Sequence, residues 1–279
     1  MNFKNWTYLQ RRIINWMAKI VLFLFTFLAL LPLIMILFYV LRQGGNVLSW
    51  SFLTTLPGPT GSTGGMANSI VGSLVMVALA SIVGIPLGIV SGVYLSEYGV
   101  GKTANILRFS LDLLTCVPSI IVGIFVYGIV VIRYGFSAYA GAFSLALIML
   151  PIVARSSEEI FKLMPGHIRE AGLALGLSRW RVILQILLPG CRKAVLTAIM
   201  LAVARIFGET APLLFTALGN QFYARSLSQP TASMSVQIFN WARSGFADLE
   251  QQAWAGSFVL VTLILFMNLA TRFLGRVRS

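Results

Sequence analysis

The sequence predicts an all-α polytopic membrane protein with six transmembrane helices. Three observations carry that prediction. Of 279 residues, 58% are hydrophobic and 10% charged, whereas soluble domains carry roughly 25% charged residues. Six separate stretches each approach the ~20 apolar residues that a span needs. The 21 Lys and Arg, against 8 Asp and Glu, concentrate in alternate loops, as span orientation demands.

The first run, residues 20–41, follows the basic Lys4, Arg11, Arg12 and Lys19. It exceeds a signal-peptide core of about 7–15 residues and no small-residue cleavage site follows, so it reads as an uncleaved anchor. Residues 56–68, LPGPTGSTGGMAN, are rich in turn formers and read as a flexible outer loop. The remaining runs are 69–95, 110–132, 136–154, 194–218 and 254–274. Between the last two, residues 219–253 carry Trp241, Asp248 and Glu250 and read as a cap or an outer contact surface.

With six spans, both termini share a side. Sixteen basic residues then fall on that side and four (Arg42, Arg133, Arg225, Arg243) on the other, with Arg205 inside a span. The positive-inside rule makes the termini and the 155–193 loop cytoplasmic. Topology thus absorbs most of the net +13, and a nucleic-acid partner is not needed to explain it. The chain divides into residues 1–67 (N-terminal segment, first span, outer loop), a five-span core at 68–274, and a tail at 275–279.

Enzyme chemistry finds little support. Cys116 and Cys191 are too few for a disulfide framework and read as packing residues. His167, the single histidine, has no companions for a metal, and no cofactor is expected. SEYGVGKT, residues 96–103, ends like a phosphate-binding loop but lacks the leading glycine and a preceding strand. It reads as a turn. No span pairs a nucleophile with a base.

Residues 170–190, EAGLALGLSRWRVILQILLPG, interrupt the spans. Pro165 suits the start of a helix and Gly176 its end. Ser178 is placed to cap a second short helix that Pro189-Gly190 would end. Trp180, Ile183, Leu184 and Leu187 recur at helical spacing on its apolar face. Helices this short are marginal alone, so they need lipid headgroups or a partner protein as a surface. Both remain open on physical grounds. A DNA-binding helix pair tethered between spans would be unusual.

Arg205 lies about 11 residues into the fifth run, roughly 17 Å deep at 1.5 Å per residue. A midplane arginine costs on the order of 3 kcal/mol, so it should face the bundle interior or a watery path. Glu209 follows at i+4 on the same face, and Pro212 should disturb the helix there. One reading is a transient oxyanion contact, since guanidinium matches phosphate in geometry and charge. The other is an ion pair that fixes packing. Asn68, Ser69 and Ser119 are weaker pathway candidates at span ends. Asp112, near the start of the third span, reads as structural, favoured there by a helix N-terminus.

Glu170-Ala171-Gly172, Gly176, Ile186, Leu188 and Pro189 resemble the EAA loop of ABC-importer permeases, E-A-A-x3-G-x9-I-x-L-P, with Gly172 in place of the third residue. Residues 64–74, 85–99, 119–128, 155–176 and 204–219 are similar to permease subunits of bacterial phosphate importers. That resemblance implies a type I ABC-importer permease fold in the cell inner membrane. It implies that Glu170, Ala171, Gly172, Gly176, Leu188 and Pro189 form coupling helices seated on an ATPase. It also implies that Arg205, Glu209, Asn68, Ser69 and Ser119 lie along a path for inorganic phosphate. The partners implied are a homologous permease subunit, two ATPase subunits, a periplasmic phosphate-binding protein and the surrounding membrane lipid. The rivals are an importer of sulfate or molybdate, an ion-coupled secondary transporter, against which the 170–189 loop argues, and a mainly regulatory subunit that reports phosphate supply to the cell.

Overall fold

A computed structural model describes residues 8–62 and 64–276. Lys4, Arg278 and the side chains of Arg272 and Arg276 lie outside the described residues, as do residues 277–279 of the tail. All regular structure among the described residues is helical. Five helices are long and apolar enough to cross a membrane, six if one bent pair counts as a single span. The predicted fold class stands.

The span helices α1 (Tyr8–Val47) and α3 (Ala67–Glu97) flank a short α2 (Trp50–Thr54). The third predicted run is not continuous. It becomes α4 (Lys102–Cys116) and α5 (Ser119–Tyr134), bent by 102°. The cause is Val117-Pro118: proline disfavours helical backbone in the residue before it, and Val117 is extended, φ −69° and ψ 126°. Asp112 therefore sits inside α4, away from any helix N-terminus. α5 alone is about 24 Å long at 1.5 Å per residue.

α6 (Ala138–Lys162) packs along α3. Gly84, Gly88 and Gly92 recur every fourth residue on α3 and meet α6 there. A Cβ at Gly88 would sit 2.7 Å from Val153 Cβ, and one at Gly92 would sit 2.6 Å from the Ala154 carbonyl oxygen. In lipid, close packing rather than the hydrophobic effect drives helix association, so this bare stripe is what lets the two backbones touch. Met76, Leu145, Met149, Ile206 and Leu213 fill the core between α3, α6, α8 and α9, the last two defined next.

α7 (Gly166–Ala174) is the first short helix predicted in the loop. The second is not short. α8 (Arg179–Phe207) runs from the loop into the membrane without interruption. Pro189-Gly190 fails to end it because a wide π-turn at Ile183–Leu187 lies just before. A π-turn relaxes the clash between a proline ring and the carbonyl four residues back. Ser178 occupies the N-cap position, but its hydroxyl makes no capping bond; its carbonyl instead accepts from Arg181 and Val182 N–H at 2.9 and 3.1 Å. The fifth run also stops short of residue 218. Helix ends at Phe207, Gly208–Thr210 form a break, and α9 (Ala211–Thr216) carries Pro212 in its first turn, where a missing N–H costs nothing.

The outer segments are more ordered than turn-rich sequence suggests. α10 (Met234–Ala242) lies within residues 219–253, and its Trp241 is buried against Phe52 with ring centroids 6.2 Å apart. The outer loop is tied to the last span helix at Gly61 and Ser62. Gly61 N–H donates to Asp248 Oδ2 at 2.6 Å, and Gln252 donates to the Ser62 carbonyl at 3.3 Å. Asp248 and Gln252 belong to the last span helix, α11 (Ala247–Arg276). Residues 98–101 form the expected turn, with Gly101 at φ +92°. Cys191 is buried, as a packing residue should be, but Cys116 is exposed.

Two ends emerge. Residues 48–62, 64–66, 135–139 and 216–252 meet at the far end. Residues 97–112 and 155–193 meet at the other, which carries the loop that resembles the EAA loop and is called the coupling end after that resemblance.

Candidate functional site

The break after α8 is the first candidate. Arg205 stands in the last turn of α8, and Glu209 just beyond it. Their charged groups stay within 3.8 Å although the helix has ended between them. That distance is an ion pair and not a hydrogen bond. The Arg205 side chain is 61% exposed, Glu209 14%. A loose, exposed pair contributes little to stability, which weighs against a packing role. The Glu209 backbone, by contrast, is fixed: its carbonyl accepts from Ser235 Oγ at 2.8 Å. A guanidinium whose one ion pair among the described residues is this loose keeps donors free for an anion.

Ser119 lies level with the break. α5 and α9 both run toward the far end, where Ser137 N–H donates to the Thr216 carbonyl. Gly123, one turn past Ser119, touches the backbone of Pro212: a Cβ there would lie 2.6 Å from Pro212 Cα. Asn68 and Ser69 do not join this group. They begin α3 at the far end, 3% and 0% exposed. Asn68 Nδ2 donates to the Asn220 carbonyl at 2.5 Å, while Asn68 Oδ1 and Ser69 Oγ have no hydrogen-bond partner among the described residues.

The coupling end is the second candidate. α7 closes as a Schellman turn: Leu177 N–H donates to the Gly172 carbonyl at 3.3 Å and Gly176 N–H to the Leu173 carbonyl at 2.9 Å, with Gly176 at φ +78°. Gly172 is buried against α8. A Cβ there would meet Val182 Cγ2 at 2.9 Å and Ile186 Cδ1 at 3.0 Å, so glycine here permits close packing. Val182, Ile183 and Leu187 form the buried face of α8. Trp180 and Leu184, assigned to that face by spacing, are each 54% exposed: the face that packs inward is the one carrying Val182, Ile183 and Leu187, which takes in Gly172 of α7. Glu170, Ala171, Leu173, Ala174, Leu175 and Gly176 are exposed. Leu188 is half-buried and Pro189 exposed.

Two ion-pair systems hold this end to the spans, and neither was anticipated. Arg169 of α7 binds Glu97 at the end of α3 through Nη2 at 2.7 Å, and reaches the Met164 and Phe161 carbonyls at 2.5 and 2.7 Å. The Glu97 carboxylate pushes the Arg169 guanidinium pKa above its ordinary value, so Arg169 keeps its charge throughout the accessible pH range. Glu158, 1% exposed, accepts from Arg108 Nε and Lys162 Nζ at 2.7 Å and from Arg155 Nη1 at 2.9 Å. Arg155 also pairs with Asp112 of α4. The signal for Glu158 was present in sequence, since Arg155 and Lys162 lie at i−3 and i+4.

Residues 84–278 match the family model described as binding-protein-dependent transport system inner membrane component. The chain belongs to that family. Among relatives of this permease chain, the phosphate transport system permease protein PstA of Yersinia pestis is 45% identical over 86% of this chain and 82% of its own. The PstA of Pasteurella multocida is 40% identical over 94% of both. PstA 1 of Mycobacterium tuberculosis (strain CDC 1551 / Oshkosh) is 32% identical over 94% and 88%. Solved structures share the fold: a bacterial alginate ABC transporter chain at TM-score 0.63 and 16% identity, covering 95% of this chain and 96% of that one. A chain of the MetNI methionine ABC transporter does so at TM-score 0.62 and 15% identity, covering 82% and 97%. The family match includes α7, α8 and the break, so both candidate sites lie within the matched residues. The permease is a transport component, not an enzyme.

Proposed function

We propose that this chain is the permease subunit of an ATP-driven importer of inorganic phosphate. It lines the pathway with a homologous permease subunit, while two ATPase subunits grip the coupling end and a periplasmic phosphate-binding protein delivers cargo at the far end. Both termini face the cytoplasm. The phosphate assignment is supported by end-to-end similarity to proteins named phosphate transport system permease.

One observation carries the mechanism. α8 is a single helix from the coupling loop to Arg205, about 39 Å at 1.5 Å per residue. α7 leans on its first turns through Gly172, and Arg169 ties α7 to α3. Movement imposed on α7 by ATP binding therefore reaches the break as a displacement of a rigid rod. Arg205 contacts the passing anion, and Glu209 repels a fully ionised one and favours release. Ser119 lies beside that step, and Asn68 and Ser69 near its entrance.

The test is uptake of labelled phosphate by cells or proteoliposomes holding the complete transporter. Arg205→Gln should abolish uptake while the ATPase still copurifies. Normal uptake by that variant rejects the role. Sulfate and molybdate should compete poorly, and loss of the ATPase should stop transport where an ionophore does not.

A further inference from the structure

We infer that Ser235 is a positioning residue for Glu209, holding it in place at the break while Arg205 moves with α8; this rests on the reading of Arg205 as an anion contact. The two charges are four residues apart in sequence but ride on different elements. Arg205 stands in the last turn of α8, the helix that reaches down to the coupling end. Glu209 lies past the helix end, between Gly208 and Thr210, before α9 begins.

What holds Glu209 can be traced bond by bond. Its carbonyl accepts from Ser235 Oγ at 2.8 Å, across 26 residues of chain. Ser235 is 6% exposed and sits in the first turn of α10. That turn is itself fixed. Met234 N–H donates to Ser73 Oγ of α3 at 2.8 Å, and the Ser233 hydroxyl accepts from Val236 N–H at 3.4 Å. Gly72 of α3, bare of side chain, lets the Ala232 carbonyl come close. On the other side of the break, α9 is held where Pro212 meets Gly123 of α5. Toward α8, Glu209 keeps a longer bond, from its N–H to the Ile206 carbonyl at 3.3 Å. A group is held precisely when its supporting shell is itself locked, and here that shell belongs to α10 and α3.

The Arg205–Glu209 separation, 3.8 Å in this state, therefore follows the position of α8 relative to α10. When α8 is displaced, Arg205 travels with it and Glu209 stays, so the pair opens and closes once in each cycle. Open, it leaves the guanidinium to the anion; closing brings back the carboxylate and expels it. Without the Ser235 hydroxyl, Glu209 would follow Arg205 and the pair would not open.

The test uses the complete transporter in proteoliposomes with its phosphate-loaded binding protein, reading labelled phosphate imported and ATP hydrolysed side by side. Ser235→Ala should lower import about tenfold, as for the loss of one strong hydrogen bond. ATP hydrolysis should stay near the wild-type rate, because α7 and α8 still move. Ser235→Thr and Ser235→Val have the same shape and isolate the hydroxyl: the threonine variant should import faster by a similar factor. Equal, substantial import by those two overturns the inference; if the added methyl group silences both, Ser235→Ala decides. Import and hydrolysis that fall together in Ser235→Ala make the serine a structural contact only and overturn the inference, as does a wild-type ratio of phosphate to ATP. Arg205→Gln, assayed in parallel, separates the two failures. Normal import by that variant defeats the reading of the break, whereas its loss of import beside a fully coupled Ser235→Ala defeats only the role of Ser235.

Discussion

Glu158 and Arg205 are both charges in an apolar chain, held in opposite ways. Glu158 is enclosed by three cations, and removing one member of a buried ion group costs about 3–5 kcal/mol. Glu158→Ala should therefore lower the Tm of the purified complex markedly. Arg205 touches Glu209 at 3.8 Å while mostly exposed, so Arg205→Gln should leave Tm nearly unchanged while uptake is lost. A large fall in Tm for Arg205→Gln would return the pair to a structural role. Gly172→Val offers a third contrast. Its side chain would be driven into Val182 and Ile186, tilting α7 away from α8; phosphate uptake should fall at least as far as ATPase copurification does. The Arg205–Glu209 pair was legible from i+4 spacing alone. Arg108 beside Glu158 was not, because fifty residues of chain separate them.

At the scale of elements, apolar length located the spans but not their interruptions. Val117-Pro118 and Gly208–Thr210 break two of them, and one proline that should have ended a helix lies within it. Proline's local rule is clear, but whether a wide turn absorbs the clash depends on what the helix packs against, here Phe161 and α7. The α3 stripe was readable in principle, as glycines at intervals of four. Gly88→Leu tests it: the side chain would meet Val153, and overpacking a close contact costs typically 1–3 kcal/mol. Thermal melts of the complex should show that loss. A variant as stable as the parent would mean that α3 and α6 are held elsewhere.

For the molecule as a whole, charge is divided between two ends. The coupling end gathers Glu97, Arg108, Asp112, Arg155, Glu158, Lys162 and Arg169 into paired systems, while the far end is fastened by backbone and amide bonds to the strap and loops. α1 stands apart, largely exposed and touching mainly α11, where Tyr39 and Trp254 rings pack edge to face at 4.9 Å; its outer face is left uncovered by this chain. The central claim is that an ATPase works this chain through α7. Leu175, 81% exposed at the tip of that helix, is the place to ask. A photo-crosslinking side chain at position 175 in the complete transporter should join this chain to the ATPase subunit, from the cytoplasmic face and in good yield. Labelling of the same position by an impermeant reagent from the outer face, with no ATPase adduct, would contradict the account.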